Sequence, residues 1–512
     1  AFRQHQPHVL MSHPTMPRAR VLAPLLLVLQ TLLATAALAQ GTLRIGLNED
    51  PDALDPARSG TFVGRIVFAA TCDKLIDSDA HNNFVPQLAT SWSWSPDNLA
   101  LTLKLRHGVH FQDGALMDAN AVAANLQRYR TAPESLRKTE LKPVSAVEVI
   151  DPYTIRLHLS QPYAPLVAVL ADRAGMMISP ATFSGNVTKT LACAGPFKLT
   201  QRIAEDRIVV DRFPGYWDAA AIHLDRIIYE PQPDTAVRLV NLQAGQLDMV
   251  ERLAPSDAAT VRKNPKLLLV GETALAYNSI SINLANHGAL ANPLVREALE
   301  DSIDRTALSK VVTDGLFTAS NQFEAPGSTY WDPAHPVPPR HLAQAKALLI
   351  KAGMTHPAFT LLVGNSSMEQ QTGEVLQAMA DEAGFDVKIQ VAEANAQVAA
   401  ARAGNYDATV VIWSGRPDPD GNVAIWLQCD GFLNWGKYCN PAFDALLAKA
   451  RGVTAVAARQ ALYRQVVDAY LRDRPHIVLW HVKWLWALSD KVKGFVPTPD
   501  GLIRLQGMRI AP

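Results

Sequence analysis

What this 512-residue chain lacks most plainly is a surplus of charge: 48 Lys and Arg stand against 48 Asp and Glu. Nothing therefore favours nucleic acid or a charged membrane surface as a partner. Catalytic signatures are missing too. There is no Gly-x-Ser-x-Gly elbow, no His-Glu-x-x-His, no Gly-x-x-x-x-Gly-Lys-Ser/Thr phosphate loop and no dinucleotide fingerprint. Aromatic residues are few, and abundant Ala, Leu and Val fit an ordinary soluble α/β protein. Cysteine is scarce: Cys72, Cys193, Cys429 and Cys439, with no Cys-x-x-Cys spacing and no histidine near the last two, which argues against a metal site.

What is present begins with residues 1–39, which carry three basic and no acidic residues, the apolar run Val21–Leu33 and the small-residue end Ala37-Leu38-Ala39. That pattern predicts a secretory signal cleaved before Gln40 and a periplasmic destination. The apolar core is short for a bilayer span. No cysteine follows the cleavage position, which argues against a lipid anchor, and Met11 and Met16 are candidate starts. Four cysteines in an oxidising compartment predict two disulfides; Cys429 with Cys439 closes the shortest loop and leaves Cys72 with Cys193.

Along the chain, Leu43–Leu47, Leu101–Arg106, Ile208–Val210 and Leu224–Tyr229 read as strands, and Val144–Ile150 with Thr154–Leu159 as a hairpin turned by Asp151-Pro152. Asp118 is placed to cap a helix with Val122, Leu126 and Tyr129 on one side. Asp234 is placed to cap another, with Val237, Val240 and Ala244 on its apolar face and Gly245 ending it. Tyr216-Trp217 reads as exposed. Beyond Gly271 strands and helices alternate. Pro293 opens a helix after Asn292; Phe359–Val363, a helix boxed by Ser366 and Glu369, and Phe385–Val391 predict a parallel strand, helix, strand unit. His107 and His110, at the end of an alternating strand, read as surface histidines. His481, among Trp480, Trp484 and Trp486, reads as partly buried.

The strings CAGPFKLTQ, DRIVVDRFPGYW and LDRIIYEPQPDTAVRLVNLQAGQLD resemble the matching part of the family 5 extracytoplasmic solute-binding proteins, the peptide and nickel class served by ABC importers. The likeness extends over roughly residues 41–510. It implies an α/β, two-lobed periplasmic-binding-protein fold (type II, cluster C-like) with mixed sheets and a hinge of two crossing segments, near Glu272–Asn278 and Trp484–Asp490. Residues 40–273 and 488–512 would form lobe I, with an extra subdomain at about 64–190, and residues 274–487 lobe II. The implied partners are a small-molecule or oligopeptide solute and the membrane permease subunits of an ABC importer. The protein would be a monomer without a cofactor, and no enzyme.

Tyr406–Asn422, YDATVVIWSGRPDPDGN, places a loop at the carboxyl end of the strand Ala408–Trp413, where ligands usually meet a parallel sheet. Peptide binders of the family carry there an aspartate for the ligand's α-amino group, and aligning Trp-x-Gly puts Arg416 in its place. A guanidinium repels an amine and grips a carboxylate or phosphate through paired hydrogen bonds. Arg416 therefore either faces an anionic group of the solute or pairs with Asp418 or Asp420 and stiffens its loop. The expected ligand-binding set is Asn48, Thr61, Phe62, Tyr277, Trp413, Ser414, Arg416, Asp418 and Asp420. Rival cargoes on the same fold are a metal chelate, an opine or haem; a secreted hydrolase is the rival from another class.

Overall fold

The computed structural model describes residues 41–431 and 433–512. The expected signal segment and its cleavage before Gln40 lie outside those residues.

Among the described residues eleven strands make one mixed sheet. Side by side they run Asp386–Ala392, Ala358–Gly364, Ala408–Trp413, Leu267–Ile282, His476–Ser489, Met249–Val250, Thr42–Leu47, Arg226–Pro231, Arg207–Arg212 and Phe197–Ile203, with Thr318–Ala319 joined to His476–Ser489. Thr42–Leu47 pairs in parallel with Arg226–Pro231, Leu43 opposite Ile227 and Ile45 opposite Tyr229. Leu43, Ile45 and Leu47 share one face of the strand and are fully buried, whereas Arg44 on the other face is partly exposed.

Two long strands belong to both halves of the sheet. Leu267–Ile282 and His476–Ser489 run antiparallel, and their register breaks between Thr273 and Tyr277, opposite Lys483 and His481. Below the break His476–Ser489 pairs with Met249–Val250; above it Leu267–Ile282 pairs with Ala408–Trp413. A four-stranded antiparallel sheet stands apart, ordered Ala89–Trp94, Ala100–Leu105, Thr154–Leu159, Val144–Asp151. The helix Ala119–Thr131 covers it with Val122, Leu126 and Tyr129, and these side chains belong to a core separate from that of the large sheet.

Local chemistry explains most helix ends. Asp118 accepts from the Ala121 N–H (2.9 Å), and Asp234 from Ala236 and Val237 (2.8 and 3.0 Å). Asn292 caps Pro293–Ser302, Ser366 caps Ser367–Ala383, and Gly384 ends the latter at φ 107°. The unit Ala358–Gly364, Ser367–Ala383, Asp386–Ala392 is parallel throughout. Cys72 is bonded to Cys193 and Cys429 to Cys439, with Cα separations of 4.8 and 4.4 Å.

Two expectations fail. On the helix Thr235–Gln243, Val237 and Val240 are 48% and 59% exposed, whereas Leu239 and Leu242 are buried against Leu247, Val250 and Leu485. The adjacent Arg238 forces that rotation, because its buried guanidinium reaches the carbonyls of Gln232 and Pro233 and the Asn48 side chain. Tyr216 is buried, not exposed, and Trp217 half-buried; both donate to the inaccessible Asp73 carboxylate (2.9 and 2.7 Å).

Candidate functional site

The strand Ala408–Trp413 ends on a turn that only glycine fits. Gly415 has φ 76°, and a Cβ there would lie 2.4 Å from the Leu275 backbone. The chain then passes through Arg416, Pro417, Asp418 and Pro419 into the helix Asp420–Leu427. Asn422 organises this turn: its Oδ1 accepts from the Arg416 N–H (2.7 Å) and Trp413 Nε1 (3.2 Å), while its Nδ2 donates to the Arg416 carbonyl (2.9 Å) and Glu324 Oε1 (2.7 Å). The Arg416 guanidinium lies over the Trp413 ring at 4.5 Å and donates to Ser414 Oγ (3.1 Å) and the Gly415 carbonyl (2.7 Å). Planar stacking and short hydrogen bonds fix its direction.

Neither aspartate of the loop holds Arg416. Asp418 forms a two-point pair with the buried Arg459, and Asp420 binds Arg451 Nε at 2.7 Å. The loop-stiffening alternative is therefore met by arginines from the helix Val456–Asp473 and the end of the helix Pro441–Arg451, not by Arg416. Glu324 sits behind this wall, and burial pushes its carboxyl up to about 7 against the hydrogen bond from Asn422.

The opposite wall is lined by Glu140 and by residues 163–172, around the helix Leu166–Leu170, and is backed by the helix Phe62–Thr71 and the turn Asp172–Gly175. Here Arg65 binds Asp172 (3.1 Å), Arg137 binds Glu140 (2.7 Å), and Arg173 donates to the Ser59 carbonyl (3.0 Å). Burial alone would raise Asp172, but Arg65, Arg173 and Arg416 outweigh it and hold the carboxylate well below its usual range. Burial drives Arg173 down to about 9; Asp172 opposes the shift, and Arg137, Arg65 and Arg416 deepen it.

The walls meet. Arg416 Nε approaches Asp172 Oδ2 at 3.8 Å, the Ala164 N–H donates to the Arg451 carbonyl (2.7 Å), and Asn98 and Asn82 donate to the carbonyls of Gly452 (3.3 Å) and Pro417 (3.4 Å). Between them lies a cavity of about 140 Å³ whose lining includes Tyr163, Asp172 and Glu140 on one side and Trp413, Arg416 and Asp418 on the other.

The family model described as "Bacterial extracellular solute-binding proteins, family 5 Middle" matches residues 83–434. The chain belongs to family 5 of the bacterial extracellular solute-binding proteins. Among curated relatives, the glutathione-binding protein GsiB of Pectobacterium atrosepticum is 29% identical over 471 residues, covering 88% of this chain and 91% of that protein. Among solved structures, the binding protein AgaA of A. tumefaciens R10, in complex with agropinic acid, has a TM-score of 0.79 at 26% identity and covers 92% of this chain and 99% of its own. The Escherichia coli murein tripeptide binding protein MppA, at 23% identity and a TM-score of 0.79, covers 93% and 99% and attests the two-lobed fold.

In this family 5 chain the nine expected ligand residues do not gather in one place. Trp413, Arg416, Asp418 and Asp420 line the cavity, and Ser414 touches it through Arg416. Tyr277 is fully buried, its hydroxyl donating to the Asn422 carbonyl (2.8 Å), so it supports the loop from beneath. Asn48 is held by Glu251 and Arg238 (2.7 and 3.1 Å). Thr61 caps Phe62–Thr71 and donates to Asp52 (2.9 Å), while Phe62 stacks on Trp484 with centroids 4.9 Å apart. Sequence reasoning missed Glu140, Tyr163 and Asp172 on the lining and Arg65, Arg137 and Arg173 behind it. Each is an isolated residue in an unremarkable segment, and no local spacing marks them. His481 is fully buried between the carbonyls of Ala274 and Gln322, and burial lowers it to about 4. Gly431, Gly436 and Lys437 have the spacing of a phosphate loop, but Tyr438 stands where a Ser or Thr would be needed.

Proposed function

We propose that this protein is the periplasmic solute-capturing component of an ABC importer, taking a peptide or peptide-like solute between its lobes and handing it, unaltered, to the permease subunits. One observation carries the reading: the cavity is lined by residues from two walls that lie far apart in the chain and are bridged by Arg416 and Asp172. A cavity that both walls must complete exists only when they come together, so solute and closed state stabilise each other. Relatives named for glutathione, murein tripeptide and agropinic acid set the range of cargo.

On this reading residues 1–39 are a signal cleaved near Ala39, residues 40–273 and 488–512 form the first lobe and residues 274–487 the second. The hinge consists of the two crossings near Glu272–Asn278 and Trp484–Asp490, and the register break between Thr273 and Tyr277 supports the first of them. The protein works as a monomer and makes or breaks no bond. Trp413 and Arg416 contact solute directly; Asn48, Thr61 and Phe62 belong to the first lobe's rim.

The test is to identify by mass spectrometry whatever co-purifies with periplasmic protein, then to titrate it back. At free solute about a thousandfold above the dissociation constant the folded state should gain roughly 4 kcal/mol, a clear rise in melting temperature. Recovery of chemically changed solute would contradict the reading. A metal chelate, an opine or haem would give the same shift and be separated by its mass.

A further inference from the structure

The cavity's surroundings are not electrically balanced. Four carboxylates line it, Glu140, Asp172, Asp418 and Asp420. On one wall the last two are each matched by an arginine, Arg459 and Arg451. On the other, Glu140 and Asp172 face four guanidinium groups: Arg65, Arg137, Arg173 and, from across the cleft, Arg416. Six arginines thus meet four carboxylates.

Carboxylates of neighbouring elements do not cancel the surplus: Glu324, which burial raises to about 7, carries only part of a charge at neutral pH, and Asp52 is held by Ser59, Gly60 and Thr61. Asp55 is taken by Arg128 (2.6 Å), and Asp77 and Asp500 are matched by Arg504 and Lys74. Nor is the surplus dissolved in water. Arg65, Arg137 and Arg173 have side chains only 4 to 5% exposed, and Arg65 Nη1, Arg137 Nε and Arg173 Nε find no hydrogen-bond acceptor among the described residues. Each group keeps another acceptor, Asp172 for Arg65, Glu140 for Arg137 and the Ser59 carbonyl for Arg173, but one buried nitrogen of each stays unpaired, and arginine cannot escape by giving up its proton at neutral pH. The deficit has to be met from outside.

We propose that the solute meets it: the closed cavity takes a solute segment carrying two negative charges, as a pair of carboxylates or as one phosphate, anchored on Arg416, with Arg65 and Arg173 acting on it from behind Asp172. This rests on the solute-binding reading and names the chemistry that reading leaves open. Arg416 lines the cavity directly. Arg173 lies behind Asp172, so an anion entering beside Asp172 gains from Arg65 and Arg173 as well as from Arg416. Lobe closure is then coupled to charge: Arg416 adds a fourth guanidinium to the cluster as the walls meet, which is favourable only with the anion in place.

The experiment uses the mature full chain stripped of bound solute and follows thermal melting with three probes at matched ionic strength: succinate, inorganic phosphate and the neutral dimethyl ester of succinate. Succinate or phosphate should raise the melting temperature saturably while the ester does not, and which of the two acts distinguishes the paired-carboxylate source from the phosphate source. In Arg173→Gln the apparent affinity should fall about thirtyfold or more. Arg416→Gln, which removes a partly exposed side chain, replaces it should Arg173→Gln fail to fold. No dianion response in the wild type, or an undiminished response in a folded variant, overturns the proposal. Failure of the parent reading is distinct: a co-purified neutral solute held equally by wild type and Arg173→Gln would remove the charge requirement and leave solute capture standing, whereas a solute that is chemically altered would remove both.

Discussion

On the wall running from Trp413 to Arg459 each lining carboxylate has a guanidinium of its own, Asp418 with Arg459 and Asp420 with Arg451, whereas on the wall from Ser59 to Arg173 three guanidinium groups share Asp172 and Glu140. Both sides are built from arginines and carboxylates, and most of these side chains are buried. Pairing is what differs. A buried pair with its hydrogen bonds made roughly breaks even and holds one geometry, so the first wall is a scaffold that aims Trp413 and Arg416. A buried surplus is unfavourable and an incoming anion would relieve it, so on the dianion proposal the second wall is the receptor.

Four measurements would sharpen or break that contrast. The largest effect concerns how each wall is tied down. Cys72–Cys193 spans 121 residues and anchors the helix Phe62–Thr71 that carries Arg65, while Cys429–Cys439 spans only 10 next to the paired wall. Loop-closure entropy predicts a loss of about 5 kcal/mol for replacing the first pair by Ser and about 3 kcal/mol for the second, read by denaturant unfolding. Equal losses would mean that the receptor wall does not depend on its longer staple.

Next, Asp418→Ala should cost about 3 to 5 kcal/mol, because it strands Arg459 in a site where its side chain is 4% exposed. Unchanged stability would show that the pair is not structural. Third, Glu324 has its folded pKa raised by burial from 4.5 to about 7, so its stabilising neutral form is fully present below pH 4.5 and is lost as pH rises through 7. Glu324→Gln should match the wild type near pH 4.5 and exceed it by about 3 kcal/mol at pH 8 to 9, because ionising the buried carboxyl costs about 1.4 kcal/mol for every tenfold change in its acidity. Paired melts at the two pH values check the sign.

The smallest effect is the most discriminating. Arg173→Gln, in the absence of solute, should cost less than about 1 kcal/mol or even stabilise, because it removes one of the like charges crowded against Asp172. A loss as large as that of Asp418→Ala would make Arg173 a paired structural residue and erase the difference between the walls.

Much of the fold was legible in the residues. Strict alternation marked Leu101–Arg106, one residue beyond the strand Ala100–Leu105, and the turn Asp151-Pro152 marked the hairpin that includes Thr154–Leu159. An Asp or Asn before each apolar run marked the caps at Asp118, Asp234 and Asn292, and the strand Ala408–Trp413 agrees residue for residue. The helix Thr235–Gln243 is the instructive failure. Val237 and Val240 and Leu239 and Leu242 are both apolar pairs at a spacing of three, and Arg238 decided between them by seeking Gln232, Pro233 and Asn48. A pattern of hydrophobicity alone could not weigh a buried cation.

The same limit separates what the chain's letters determined about the site from what folding decided. Arg416 stood out in the sequence because it replaces an acid at a defined place after a strand, and the disulfide pairs followed from four cysteines and one short loop. Both are local facts. That Arg416 ignores Asp418 and Asp420 and points at Asp172, 244 positions earlier, was decided only when Arg451 and Arg459 arrived on other helices and took those acids. Net charge read along a chain is a sum, and this one comes to zero. The cavity's surplus is a matter of which charges are brought within reach of one another out of water, and distance in space, not order in sequence, sets that energy.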